Sequence, residues 1–458
     1  MRYRIEKDMY GEVQIPIDAY YGIYTARSKM LYSITGQRIH KQMIKSIAQV
    51  KKAFIFGNLK VEKVDYNVAD SIMLACDDVV NGKLLRQFIT DMIQGGSGAA
   101  IDINMDEVLA NRANEILGGE KGVYDLVHPF NHVSLGQTPD DIISISGKIA
   151  TIKLLKKLQI ELKKLHKVYL DKANEYIEVI KLGREHLQDS VPISFGFVFS
   201  SFAAPLERDI DRLKHVMQEL YSISIAPSSA SFYGEDLPKF KKAIIKKLKD
   251  TTKLELKISE SIYDSTINLD NLLSVSSVIK SIAINLSKVA NDIRLMQSLE
   301  EINIDNPFQL LPRLKVKSSS SIPEAMNQIA FEIIGNDVTI SKAVEAGQLE
   351  LNAFQPIILA NIFFSIDILR KGVESFREHA ISKISVNKEK CLSYVERSSG
   401  LVSLLTPHIG HDEISKVVKE AFETKEKITD LVVKHKYLTQ SEVDDILGYR
   451  NLIKSNKK

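Results

Sequence analysis

The hydrophobic positions set the first expectation. From Asp141 to about Glu178, Ile142, Ile145, Ile149, Ile152, Leu155, Leu158, Leu162, Leu165 and Val168 recur at three- and four-residue steps. That is the period of one helix face. A helix of this length spans roughly 50 Å at 1.5 Å per residue. Such a helix cannot bury its apolar stripe inside a small domain, so it needs a long bundle or partner subunits. Similar runs recur at 194–222, 265–300 and 322–380.

The ends read differently. Residues 1–136 break into shorter pieces with glycine clusters such as "QGGSGAAID" and "LGGEKG". Beyond about residue 388 lies a short helical tail, in which Thr439 and Glu442 have the spacing of a capping box. The pattern predicts a mainly α chain of three segments: a mixed N-terminal domain (1–136), a long-helix core (137–388) and a small helical C-terminal domain (389–458). With only 12 prolines, composition agrees with a helix-dominated chain.

Composition and charge narrow the function classes. Lys plus Arg is 61 and Asp plus Glu is 58, a net charge of +3, which offers no electrostatic case for nucleic acid. Many lysines fall at helical spacing, as in "KLLKKLQIELKKL", and read as a solvated face. Cys76 and Cys391 stand far apart without metal-ligand neighbours, so both are expected to be reduced core thiols. The start "MRYRIEKDMYGE" lacks an apolar signal region. No unbroken apolar run of membrane-spanning length is present. A cytoplasmic protein without membrane contact is the expectation, and nothing in the spacing calls for a metal or cofactor.

Three stretches carry a resemblance: "RIEKDMYGEVQIPIDAYYGIYTARS" (4–28), "VANDIRLM" (289–296) and "NQIAFEIIGNDVTISKAVEAGQLELNAFQP" (327–356). They are similar to the aspartase/fumarase superfamily, and to its aspartate ammonia-lyase branch in particular. The similarity runs from Tyr3 to about Leu447. It implies a three-domain, mainly helical subunit whose central five-helix bundles pack into a homotetramer with a twenty-helix core. It also implies active sites assembled from three subunits. The reaction implied is removal of a proton beside a carboxylate and expulsion of an amine, so that aspartate gives fumarate and ammonia. The doubly charged enolate formed on the way needs hydroxyl and amide donors aimed at its oxygens. A loop serine acts as the base.

Matched by position, the chain departs from that pattern. The family's Gly-Thr-Ser and following asparagine meet "GAAID": Ala99 and Ala100 replace the hydroxyls and Asp102 the amide. Alanine donates nothing, and an ionised aspartate would repel an anionic substrate. In the second region, "GQTPDD", Gln137, Thr138 and Asp141 match, while Pro139 and Asp140 replace a hydroxyl and an amide. In the third, "GREHLQDSVP" (183–192), Gly183, Arg184, His186, Gln188, Asp189 and Pro192 are kept and Glu185 replaces a threonine. His186 is the foremost functional candidate there, although a packing role suits it as well. Ser231, Phe232 and Tyr233 stand where the family has a glycine-rich loop, which would fill or reshape a pocket.

The signature loop is the largest departure. In "LKVKSSSSIPEAMNQ" (314–328), counting back without gaps from Asn327 and Gln328 puts Lys317 on the family lysine and Ser319 on its asparagine. The family's Gly-Ser-Ser then falls on Leu310, Leu311 and Pro312. A gapped register instead brings Ser318 to Ser321 onto the serine pair and deletes the lysine–asparagine part. The candidate catalytic residues are Ser318, Ser319 and His186. The candidate substrate contacts are Lys317, Thr138, Gln137, Glu185, Ala99, Ala100 and Asp140. Two readings stay open. One is a lyase-fold protein with a degraded site, weak or inactive on aspartate, assembling as a homotetramer or as a mixed tetramer with an intact paralogue. The other is an active C–N or C–O lyase on a different amino or dicarboxylic acid, using His186, Lys317 and one of the serines 318–321.

Overall fold

The computed structural model describes residues 2–225, 230–261, 264–305, 321–398 and 400–448. Among these the chain is mainly α-helical. Its strands form small two-stranded ribbons only. The expected long helices are present as Pro139–Glu175, Phe195–Glu219 and Asp270–Ser298.

The run at 322–380 is two helices, Ser321–Glu345 and Gln355–His379, rather than one. The break has a local cause. Asn352 Nδ2 donates to the carbonyls of Ala343 and Val344 at 3.1 and 3.2 Å, which satisfies the last turn of the first helix. Leu349 turns the chain with φ +52°, and Pro356 follows at the second position of the next helix, where a missing N–H costs nothing.

Asp270–Ser298 needs a correction to the reading of apolar runs. By length and mean hydropathy it is apolar enough to cross a membrane. Its apolar positions Val275, Ile279, Ile282 and Leu286 are buried. Its polar groups are engaged within the protein: Ser276 and Lys280 with Asp337, and Asn285 with Asp209. These are the features of a bundle helix with one wet face.

The chain packs as two compact units, each drawn from three stretches of sequence. The first comprises Met1–Gln159, Asp211–Ser281 and Glu332–Ile368. It opens with the hairpin Tyr3–Asp8 and Gly11–Pro16, followed by helices Ile23–Leu31, Lys41–Lys60, Tyr66–Val80 and Ala99–Ile116. Glu107 fixes how this region closes. Its buried carboxylate accepts from the backbone N–H of Gly22, Tyr24 and Thr25 and from the Thr25 hydroxyl. A carboxylate at the N-terminus of Ile23–Leu31 replaces the missing intrahelical partners and meets the positive end of the helix dipole.

The second unit comprises Ile160–Ile210, Ile282–Phe331 and Leu369–Lys458. It contains the hairpin Ile180–Glu185 and Gln188–Ser194 and the ribbon Ile302–Ile304 with Ile384–Val386. Its C-terminal helices share one core, in which Val395, Leu401, Leu405, Ile414, Val417, Leu431, Val432 and Val443 close on Leu182 of the hairpin. The capping box is formed: Thr439 and Glu442 each accept from the other's backbone N–H, at 3.3 and 2.8 Å.

Candidate functional site

The first two candidate regions meet within the first unit. The chain enters Ala99–Ile116 through Gly96, Ser97 and Gly98, with φ of +67°, +55° and +94°. A Cβ on Gly98 would come within 2.9 Å of Ile143 Cγ1. The start of this helix therefore lies directly on the first turns of Pro139–Glu175, and only glycine permits both the φ and the approach. Across this corner Ser97 lies close enough to the Asp140 carboxyl to lower its pKa.

Burial raises the Asp140 carboxyl above the usual carboxylate range, against the lowering effect of Ser97. Asp140 Oδ1 is buried and has no hydrogen-bond partner among the described residues. Ala99 is half-buried and Ala100 buried. Their methyl groups leave this corner without side-chain donors at the positions where the family pattern has two hydroxyls.

Thr138 and Gln137 keep the expected residue types, and each donates locally. Thr138 Oγ1 donates to Asp141 Oδ2 at 2.7 Å. A hydroxyl has one proton, so this one is not free for a carboxylate. Gln137 Nε2 donates to the Val133 carbonyl at 2.8 Å. In this structure Thr138 serves the start of the helix Pro139–Glu175.

Asp102 has a cationic partner. It does not present an uncompensated charge, because Lys51 Nζ of helix Lys41–Lys60 sits 2.8 Å from Asp102 Oδ1 and 2.6 Å from Asp106 Oδ1. All three side chains are buried. Burial alone would lower the Lys51 pKa, but the two carboxylates raise it. Burial, and next the charge of Asp102, hold Asp106 well above the ordinary range. Lys51 thus bridges the two buried carboxyl groups.

Tyr233 fills space as expected of the replaced loop. Its ring stacks on Phe240 at 3.8 Å, and its hydroxyl donates to Asn58 Oδ1 at 2.6 Å. A Cβ on Gly136 would fall 2.0 Å from that hydroxyl, so the ring packs directly behind the turn that carries Gln137. Phe232 stays exposed, with the Lys63 ammonium over its ring. Ser231 is exposed too.

The third region lies in the second unit. His186 and Leu187 form the two-residue turn of the hairpin, with φ of +53° and +62°. Glu185 and Gln188 pair across it, and all four residues are exposed. Asn-Gly is the usual choice for such a turn, so a His-Leu pair held there is backbone strain of the kind found at functional positions. The hairpin is anchored below. Lys181 Nζ lies 2.6 Å from Glu301 Oε2, and Arg184 Nη1 contacts Glu301 Oε1. Arg184 also lies over the Tyr394 ring at 5.1 Å.

Lys317, Ser318 and Ser319, with Ser320, lie outside the described residues; Ser321 opens the helix Ser321–Glu345. Three participants were not singled out from sequence: Lys51, Asp106 and Glu301. A signal existed for the first two. Lys51 shares a helix face with Ile47, Phe54 and Ile55, and Asp102 and Asp106 share one with Met105 and Leu109, all buried positions.

Comparison with known proteins agrees with this architecture. The family model described as lyase matches residues 11–341, and that of the fumarase C C-terminus matches 401–454. The aspartate ammonia-lyase of Bacillus subtilis (strain 168) is 39% identical over 451 residues, covering 97% of this chain and 95% of that protein. That of Helicobacter pylori (strain ATCC 700392 / 26695) is 35% identical over 457 residues, covering 98% of each. Among solved structures, the fumarate lyase:delta crystallin of Brucella melitensis superposes with a TM-score of 0.89 at 32% identity, over 94% of this chain and 100% of that one. The class II fumarase of Schistosoma mansoni gives 0.87 at 28% identity, over 98% of each. Similarity of this extent, end to end in sequence and in fold, means that the chain belongs to the aspartase/fumarase superfamily of lyases and is aspartate ammonia-lyase-like within it.

Proposed function

We propose that this protein keeps the aspartate ammonia-lyase fold and is weak or inactive in converting L-aspartate to fumarate and ammonia. The observation that carries this reading is the corner of residues 97–102 and 137–141. It offers two methyl groups, a threonine hydroxyl spent on Asp141 and a half-buried Asp140 carboxyl, where an enolate intermediate needs donors. Loss of one preorganised donor typically lowers kcat by about 100- to 1000-fold. Losses within one site do not simply add, but they act in the same direction here. The protein would then serve through assembly, as a homotetramer or in mixed tetramers with an intact paralogue, or through ligand binding.

A second reading is favoured by one feature. The unpartnered Oδ1 of Asp140 is an acceptor, suited to an amine or amide group of a substrate less anionic than aspartate. In that case the chain is a C–N or C–O lyase of altered specificity, with His186, Lys317 and one of the serines 318–321 carrying the chemistry.

The test is fumarate release from L-aspartate by purified protein, followed by ultraviolet absorbance. No turnover with wild-type protein, and measurable turnover after Ala99→Thr, Ala100→Ser and Asp140→Asn are combined, supports the first reading. Robust wild-type turnover overturns it. Unsaturated product from another amino acid, with none from aspartate, selects the second.

A further inference from the structure

The helix Lys41–Lys60 begins without the usual aids. Its first turn has no acidic residue and opens on Lys41, although the positive end of a helix favours anions. The residue that closes it is His40. The His40 backbone is extended, with φ −60° and ψ 132°, and its ring Nδ1 accepts from the Gln42 backbone N–H at 3.1 Å. Ser, Thr, Asp and Asn usually hold this position, and none of them exchanges a proton near neutral pH.

The other ring nitrogen is engaged as well. His40 Nε2 lies 3.2 Å from Asp367 Oδ2 on the helix Gln355–His379. The ring also tilts against Phe363 of that helix, at 5.5 Å between centroids. Both His40 and Asp367 belong to the first unit, and both side chains stay partly open to solvent. The charges that face the ring are Asp367 across the contact and Lys41 beside it in the chain. Among the described residues, Asp367 is the carboxylate within ion-pair distance of His40.

The two contacts fix the tautomer. A neutral imidazole has one N–H and one lone pair. Nδ1 spends the lone pair on Gln42, so the proton sits on Nε2 and is donated to Asp367. An imidazolium has two N–H groups and no lone pair. It keeps the bond to Asp367 and loses the cap, which leaves Nδ1–H and the Gln42 N–H facing each other as two donors. It also places a positive charge on the positive end of the helix, beside Lys41. The attraction of Asp367 for the imidazolium does nothing for the Gln42 N–H, which is left without an acceptor.

We propose that His40 is a proton-operated catch at the start of Lys41–Lys60. With the ring neutral the catch is shut: one nitrogen caps the helix and the other ties it to Gln355–His379. With the ring protonated the first turn opens while the tie to Asp367 stays. Histidine is the side chain whose charge changes between about pH 5 and pH 8, so this cap responds to proton concentration where a hydroxyl or amide cap does not. The opening stops at the first turn, because Met43, Ile44 and Ile47 are buried.

The test is hydrogen exchange of the full-length protein, read by mass spectrometry at about pH 8 and about pH 5.5 and corrected for the intrinsic pH dependence of exchange. The backbone amides of residues 41–44 should lose protection on the order of fivefold at the lower pH, the effect of a lost cap. The helix Lys388–Arg397 is the internal control, because its cap, the Asn387 side chain accepting from the Lys390 N–H, has no proton to gain. In His40→Asn, which caps without titrating, residues 41–44 should keep the same protection at both pH values. Equal protection of residues 41–44 at both pH values in wild-type protein overturns the proposal. So does a matching loss in Lys388–Arg397, or a matching loss in His40→Asn.

Discussion

Lys51 Nζ lies 2.8 Å from Asp102 Oδ1 inside the first unit, and neither side chain reaches solvent. Asp106 completes the group from one turn further along the same helix, at 2.6 Å. The replacement of a family amide by Asp102 therefore adds a structural ion pair. Removing Lys51 strands two carboxyl groups in a dry interior. Lys51→Met is expected to lose about 3–5 kcal/mol of stability, the usual cost of breaking one side of a buried pair. Asp106→Asn is expected to cost less than Lys51→Met, about 1–3 kcal/mol, because an amide keeps the size of the carboxyl and Lys51 keeps Asp102. Denaturant unfolding of both variants checks the pair, and a Lys51→Met protein as stable as wild type would falsify this account.

The same group makes stability depend on pH. The folded pKa of Asp106 is raised above its unfolded value, so between those values the folded state holds the extra proton. Its contribution is fully present below the unfolded value, about pH 4, and is lost as pH rises through the raised folded value. Relative to Asp106→Asn, wild-type protein should lose stability with rising pH across that window. Unfolding curves at several pH values measure the difference, and parallel curves would remove Asp106 from the explanation.

At the hairpin turn, Leu187 is exposed and held at φ +62°. A left-handed backbone costs a non-glycine residue about 1–2 kcal/mol, and an exposed leucine returns little by burial. Leu187→Gly should stabilise the protein by about 0.5–1 kcal/mol. A fall in unfolding temperature would mean that the Leu187 side chain has a partner.

Glu301, fully buried, pairs with both Lys181 and Arg184 at the base of that hairpin. Glu301→Leu leaves two cations facing an apolar side chain and is expected to cost about 3–5 kcal/mol. The loss should be visible as faster proteolysis near residues 183–192 than elsewhere. Uniform cleavage would argue that the ion pairs do not hold the hairpin.

Phe331, Ile334 and Val338 follow one another at steps of three and four along Ser321–Glu345, and all are exposed. An apolar stripe of this kind on a long helix is the expected seam of the proposed tetramer. Light scattering should show a tetramer for wild-type protein and smaller species for Phe331→Glu with Val338→Glu. A monomeric wild type would refute the assembly.

Much of the site's residue content was legible in the chain, and little of its wiring. Ala99, Ala100 and Asp140 could be named as departures because each is a question of which residue stands at a position. That Thr138 donates to Asp141, and that Asp102 is neutralised, depends on what each side chain meets. Asp141 is a near neighbour of Thr138, and its partnership follows from helix-start geometry. Lys51 and Asp102 sit on different helices, and no local pattern links them.

By itself the sequence determined the long helices, since a period near 3.6 sustained over many turns has one regular solution, and it determined the Thr439–Glu442 cap, which needs only neighbours in the chain. It also carried the family, through stretches that match residue by residue. Only the tertiary structure decided where the charges went. It placed Lys51 between Asp102 and Asp106, Glu301 under Lys181 and Arg184, and Asp367 against His40. The physical reason is that the energy of a charge is set by desolvation and by partners within a few ångströms, and helix packing, not chain order, chooses those partners.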